Sequence, residues 1–177
     1  YQRKHNVIEH EAEHTPVQSA ERQRVPFEWR GMRMAMLICA DNGIPGIYEE
    51  LAEAGFDMIL LLSAGAGRMS GGFRQADLAS PEKRRAYLDA AESVCFPRME
   101  KTIRLGLAFA SANQAGYIPE TDFFHPGHSL VISSNGRLDA VIPGRFVFEH
   151  LRPEVAVGTV TACTPIHAAT AVDANGG

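Results

Sequence analysis

Three groups of side chains in this sequence have types and spacings that could do chemistry. The first is Cys39, which closes the apolar run Met34-Ala35-Met36-Leu37-Ile38 and opens the polar turn Ala40-Asp41-Asn42-Gly43-Ile44-Pro45. A thiol at the end of a buried strand, where the chain turns toward a helix, is held rigidly at the mouth of a sheet, where acyl-transfer nucleophiles often sit. The bland alternative is a small apolar filler, the role of most free cysteines. The second group is His10-Glu11-Ala12-Glu13-His14, a literal H-E-x-x-H. On a helix that motif turns two histidines to one face for Zn²⁺, with a glutamate as general base. Thr15-Pro16 ends any helix directly after His14, and Glu21 and Glu28 are only generic third ligands, so this metallopeptidase reading lacks its structural context. The third group is His125 and His128 around Pro126-Gly127, a pair that could hold a metal but has no further ligands nearby. The glycine-rich stretch "GAGRMSGG" has neither the P-loop Lys-Ser/Thr nor a dinucleotide-binding spacing, which argues against a phosphate site.

Alternating elements must position these groups. Phe27–Trp29 and Met32–Cys39 read as a hairpin-like pair around Arg30-Gly31, with Met34, Met36 and Ile38 on one face. In "PGIYEELAEAGFD", Ile47, Leu51 and Ala54 fall at helical spacing, Gly55 is the stop, and the buried strand Met58–Leu62 follows. Ser80 and Pro81 supply an N-cap and a first helical residue for a helix expected to run to about Val94, with a second from Pro97 to about Leu105. Strands are expected at Gly106–Ala112, Ser129–Ser133, Leu138–Ile142 and Val155–Thr161, with Asn135-Gly136 as a type I′ turn. Residues 1–24 read as irregular polar loop. Interleaved strands and helices of this kind indicate a layered α/β or α+β domain.

Length and composition set bounds. A chain of 177 residues, 45% of them hydrophobic, buries one sizeable core and is most simply one domain, here residues 1–162, followed by a tail over 163–177 with little to pack. A net charge of -4 gives no polycationic footprint, so nucleic acid is not an expected partner. The three cysteines, Cys39, Cys95 and Cys163, are too few and too scattered for a disulfide framework, and their odd number points to a reducing, cytoplasmic compartment. The longest apolar runs fall far short of the roughly 18 residues that a membrane helix needs. The polar, charged first residues do not read as a signal peptide.

Several of these segments together resemble the nitrilase (carbon-nitrogen hydrolase) superfamily. "YQRKH" at residues 1–5 and "GMRMAMLICADNGIP" at residues 31–45 resemble its lysine and cysteine signatures. "RLGLAFASANQAG" resembles its strand ending in Asn-Gln-x-Gly or Asn-Arg-x-Gly, and "FHPGHSLVISSNGRLDA" its Gly-x-Ser strand and hairpin. The four matches run in the family's order over residues 1 to 160.

The resemblance implies an α-β-β-α sandwich of which this chain is the C-terminal two-thirds or so, paired with a second copy into a homodimer or higher homo-oligomer. It implies a small-molecule amide or nitrile as substrate, with amide hydrolysis preferred because amidases dominate the family, and no cofactor or metal. By the same resemblance Cys39 is the nucleophile and Lys4 the oxyanion stabiliser, and a glutamate upstream of the lysine does the proton transfers. Glu13, or failing that Glu11, is the second glutamate that orients the site. Ala40, Asp41, Asn42 and His128 are expected around the oxyanion and substrate. One departure bears on specificity. The family turn often reads Asp-x-Arg-x-Pro-Glu, whereas Gly43 and Gly46 stand here at the arginine and glutamate positions, so a bidentate carboxylate clamp is missing at Gly43. A fold that keeps the shape without the chemistry, as an interaction module, is the alternative to a thiol hydrolase.

Overall fold

The computed structural model describes residues 26–63, 75–118, 123–142 and 157–160. Its strands are β1 (Phe27–Trp29), β2 (Met32–Ile38), β3 (Met58–Ser63), β4 (Ala108–Asn113), β5 (Ala115–Ile118), β6 (Phe123–Pro126), β7 (Ser129–Ile132) and β8 (Leu138–Ile142). Its α-helices are α1 (Ile47–Glu53) and α2 (Pro81–Arg104), and short 3-10 turns occupy Cys39–Gly43 and Gln75–Ala79. Six strands form a mixed sheet in the order β1-β2-β3-β4-β7-β8, while β5 and β6 pair separately. The central β2, β3 and β4 are parallel, and the flanking strands pair antiparallel. This is the layered α/β architecture expected from the interleaved pattern. The β5–β6 pair was not foreseen.

The central strands are mostly apolar, as strands covered on both faces are, with Arg33, Ser63, Ser111 and Asn113 as the polar exceptions. On one face Ala35, Leu37, Ile59, Leu61, Phe109, Leu130 and Ile132 pack with Ile47, Tyr48 and Leu51 of α1 into the main core. On the other, Met34, Met58 and Ala108 form a smaller cluster with Met32, Leu60, Ala110 and Val160. Met34, Met36 and Ile38 therefore do share a face, but the deeper core is built by their neighbours Ala35 and Leu37. Among the described residues no helix is long and apolar enough to cross a membrane.

Local chemistry sets the joints. Arg30 (φ 51°) and Gly31 (φ 77°) are both left-handed between the paired Trp29 and Met32, so the two-residue type I′ turn lies here. The turn assigned by sequence to Asn135-Gly136 is different. The Gly136 N–H donates to the Ser133 carbonyl (2.8 Å), which makes Ser134 and Asn135 the central residues, and only Gly136 is left-handed (φ 83°). A bulge between Val131 and Ile132 absorbs the longer loop. At the end of α1, Gly55 is left-handed (φ 72°) and the Phe56 N–H reaches back to the Leu51 carbonyl (3.1 Å).

Helix α2 starts as expected, with Ser80 Oγ accepting the Lys83 N–H (3.2 Å) and Pro81 in the first turn. The expected break before Pro97 is absent, and one helix of 24 residues runs through it. A proline there forfeits one backbone hydrogen bond. The helix continues because both flanks are anchored, by the cap at Ser80 and by the buried Tyr87 and Thr102. Residues 157–160, expected within a strand, lie against β7 and β8 without joining the sheet. A Cβ on Gly158 would meet that of Asp139 at 3.0 Å.

The β7–β8 hairpin carries a carboxylate whose titration bears on stability. Asp139 accepts hydrogen bonds from the Ser133 hydroxyl and from Arg137 Nη2 (2.5 Å). The Ser133 hydrogen bond first, and the Arg137 guanidinium second, hold its carboxyl below the usual carboxylate range. A carboxyl with a depressed folded pKa stabilises the fold above its unfolded pKa, and that contribution is lost as pH falls through the folded value. Asp139→Asn is thus expected to lower the melting temperature by a few degrees at neutral pH, with the difference from the parent closing as pH drops below the ordinary carboxylate range. A gap of constant size in thermal melts across that range would refute the assignment.

Candidate active site

Parallel strands end at the same edge. In the sheet Ile38 pairs with Leu62, and Ser63 pairs with Asn113, so Cys39, Ser63 and Asn113 stand side by side at the carboxyl ends of β2, β3 and β4. Open α/β sheets place their ligands outside the carboxyl ends of their strands.

Cys39 is half-buried and carries a left-handed backbone, φ 49°. A non-glycine residue in this region costs roughly 1–2 kcal/mol relative to ordinary backbone, and such residues concentrate at functional sites. Strand, left-handed thiol, tight turn and helix follow one another as in the nucleophile elbow of acyl-transfer hydrolases. Of the three left-handed non-glycine residues among those described, Arg30 serves a hairpin, whereas Cys39 and His128 (φ 59°) both lie on segments leaving this edge.

The turn that carries Cys39 is secured from beneath. Asp41, fully buried, accepts the Ile38 N–H on Oδ2 (3.3 Å), and its carbonyl accepts the Ile44 N–H (3.2 Å). Gly46, left-handed at φ 77°, turns the chain into α1. The Tyr48 hydroxyl donates to Asn42 Oδ1. Tyr48 itself is fixed, stacked on Phe109 with ring centroids 6.5 Å apart and carrying the Lys101 ammonium 5.3 Å from its centroid. Lys101 is in turn paired with Glu49 (3.0 Å), and its hydrogen bond is the main reason the Glu49 carboxyl lies below the usual range.

Across β3 a second set of bonds stitches the 125–129 segment to the same edge. The Gln114 N–H donates to the Ser63 carbonyl (2.9 Å), and the Gly127 N–H to the Gln114 carbonyl (3.0 Å). Asn113 donates from Nδ2 to the Gly127 carbonyl (2.6 Å) and from its backbone N–H to Ser129 Oγ (3.0 Å). His128 is placed by these bonds, one residue before β7.

Of the residues expected at the site, Cys39, Ala40, Asp41 and Asn42 share one turn and His128 lies on a segment bonded to the same edge. Lys4, Glu11, Glu13 and the His10 and His14 of the H-E-x-x-H motif lie outside the described residues, as does Cys163. Among the described residues no cluster of three His, Cys, Asp or Glu side chains could hold a metal. Sequence reasoning missed Tyr48, Ser63 and Asn113. Tyr48 reads as one more helix core position, and Ser63 and Asn113 become neighbours of Cys39 only through the parallel register. A groove of about 590 Å³ opens elsewhere, on the methionine face, between Trp29, Met32, Met34, Met58 and Val160. It includes none of the edge residues.

Fold and edge together define an α/β scaffold presenting a cysteine elbow, and solved structures place that scaffold. The chain is similar to a carbon-nitrogen hydrolase from Helicobacter pylori, with 18% identity and a TM-score of 0.61 over 90% of this chain and 50% of that one. It is also similar to the glutamine-dependent NAD+ synthetase of Acinetobacter baumannii, with 21% identity and a TM-score of 0.55 over 79% of this chain and 23% of that one. A third is a Nesterenkonia amidase variant with the acetamide moiety of fluoroacetamide covalently added at its active-site cysteine, with 18% identity and a TM-score of 0.52 over 83% of this chain and 51% of that one. The chain thus has the nitrilase-like fold of the carbon-nitrogen hydrolases and spans about half or less of the length of these structures. No family model and no curated protein matches its sequence.

Proposed function

We propose that this chain carries the nucleophile of a thiol hydrolase acting on non-peptide C–N bonds, preferentially linear amides. The observation that carries this reading is the left-handed Cys39 at the carboxyl end of β2, inside a fold shared with amidases. The Cys39 thiolate adds to the amide carbonyl carbon, and the carbonyl π electrons move onto oxygen. That oxyanion is met by the Ala40 N–H and the Lys4 ammonium. Collapse re-forms the carbonyl, breaks the C–N bond and leaves a thioester on Cys39, while a general acid protonates the departing ammonia or amine. The same group, now a carboxylate, takes a proton from a water that attacks the thioester, and collapse releases the carboxylic acid and returns the Cys39 thiolate with the general acid reprotonated. Following the resemblance, this proton carrier is a glutamate that precedes Lys4 in the family, and Glu13 orients the lysine. His128 contacts the substrate from the far side of the edge, and a second copy of the chain is the protein partner.

Gly43 stands where the family turn often carries an arginine, so a substrate without a carboxylate is the one expected. Intact-mass spectrometry of the full-length protein after brief exposure to a panel of small neutral amides tests the reading. The expected result is a single acyl adduct, absent from Cys39→Ala, whose mass identifies the acyl group. No adduct with any amide, together with alkylation of Cys39 no faster than that of an ordinary thiol, would leave a fold without the chemistry.

A further inference from the structure

A left-handed residue in a short 3-10 turn persists only where its surroundings over-determine it, because 3-10 geometry is poor in itself and the conformation is strained. Two of the polar side chains expected to face substrate, Asp41 and Asn42, are instead engaged by the protein around the turn. Asp41 is fully buried and holds the Ile38 N–H immediately before Cys39. Asn42 is half-buried, and its carbonyl oxygen accepts the hydroxyl of Tyr48, a residue only 3% exposed. We propose that Tyr48, acting through Asn42, is a positioning residue for Cys39. It ties the C-terminal half of the turn to the α1 core, as Asp41 ties the N-terminal half to β2.

The inference rests on the reading of Cys39 as nucleophile. Neither tie touches a reacting atom in this scheme. Each restricts where the thiol and the Ala40 N–H point relative to one another. The ring of Tyr48 is immobilised by Phe109 on the sheet and by Lys101 from α2, so its hydroxyl is a fixed anchor, and the bond to Asn42 crosses from helix to turn. Placement errors of an ångström at a reacting group can reduce rates by about a hundredfold. Loss of the Tyr48–Asn42 tie is therefore expected to slow thiol chemistry by roughly ten- to a hundredfold with little change in the fold.

The test is the rate of Cys39 acylation by a small neutral amide that labels the parent, with the pH–rate profile of its alkylation by iodoacetamide alongside, both followed by intact mass with peptide assignment, for the parent, Tyr48→Phe, Asn42→Ala and the double variant. Tyr48→Phe removes one oxygen and keeps the packed ring. Asn42→Ala removes the other partner from the turn side and serves should Tyr48→Phe fold poorly. The expected result is a slower Cys39 reaction in both single variants, a double variant no slower than the slower of the two, and melting temperatures within a few degrees of the parent, since two partners of one bond do not add. A parent-like rate in folded Tyr48→Phe, or additive losses, would overturn the positioning role while leaving the nucleophile intact. If Cys39 of the parent itself reacts no faster than Cys95 and Cys163, the nucleophile reading fails first and the positioning role with it.

Discussion

Replacing Cys39 by glycine is expected to yield a protein that forms no acyl adduct yet is more stable than the Cys39→Ala protein by about 1 kcal/mol. The reasoning separates the two burdens on this residue. As a nucleophile its Sγ is irreplaceable, so both substitutions end covalent chemistry altogether. As a backbone position it sits at φ 49°, where an alanine Cβ crowds the following carbonyl and a glycine does not. Glycine loses more freedom on folding, which offsets part of the gain but not all of it at a left-handed site. Urea denaturation of the two variants decides the matter. Should Cys39→Gly prove the less stable of the pair, the left-handed elbow would not exist in solution. Should it prove the more stable, the protein holds its thiol in a conformation that stability alone does not favour, a trade-off typical of sites shaped for function.

A loss of about 2–5 kcal/mol is expected for Ile59→Ala. Ile59 lies in the middle of β3, pairs in register with Ala35 on one side and Phe109 on the other, and is wholly buried. Its side chain fills the layer between the sheet and α1, where Ile47, Tyr48 and Leu51 pack. A short alanine there leaves a void whose walls belong to paired strands and a packed helix and collapse only in part. The melting temperature should fall by roughly 4–20 °C for a chain of this size. A change within the error of a thermal scan would mean that β3 is not the centre of the sheet. Because β3 also separates Cys39 from Asn113, the same substitution should loosen both halves of the candidate site.

Much of this arrangement was legible where local chemistry is decisive. Arg30-Gly31 announced a hairpin, Ser80-Pro81 a helix start, Gly55 a helix end, and Cys39 stood out because an apolar strand ran straight into a polar turn. Pro97 misled because a proline inside a helix forfeits one hydrogen bond, and anchoring at Ser80, Tyr87 and Thr102 outweighs that loss. Asn135-Gly136 misled because the dipeptide suits more than one turn, and the bulge beside Ile132, which no local pattern announces, selects a longer loop. Ser63 and Asn113 escaped notice for a different reason. Each is an unremarkable polar residue at a strand end, and only the parallel register sets them beside Cys39. The nitrilase-like fold itself was visible in the order of four short segments, while the tie from Tyr48 to Asn42 depends on a helix–turn contact that sequence spacing does not encode.

The hairpin at the start of the sheet also determines what light can report about this protein. Its single tryptophan, Trp29, is 57% exposed, with the Arg30 guanidinium 4.7 Å from its ring centroid, on the rim of the methionine-lined groove. An indole already in contact with water shifts its emission little when the chain unfolds, so intrinsic fluorescence is a weak monitor of global stability here, and circular dichroism is the better reporter. The same indole is placed as a local optical probe, because a ligand that covers it from the groove would dehydrate it and turn its emission toward the blue.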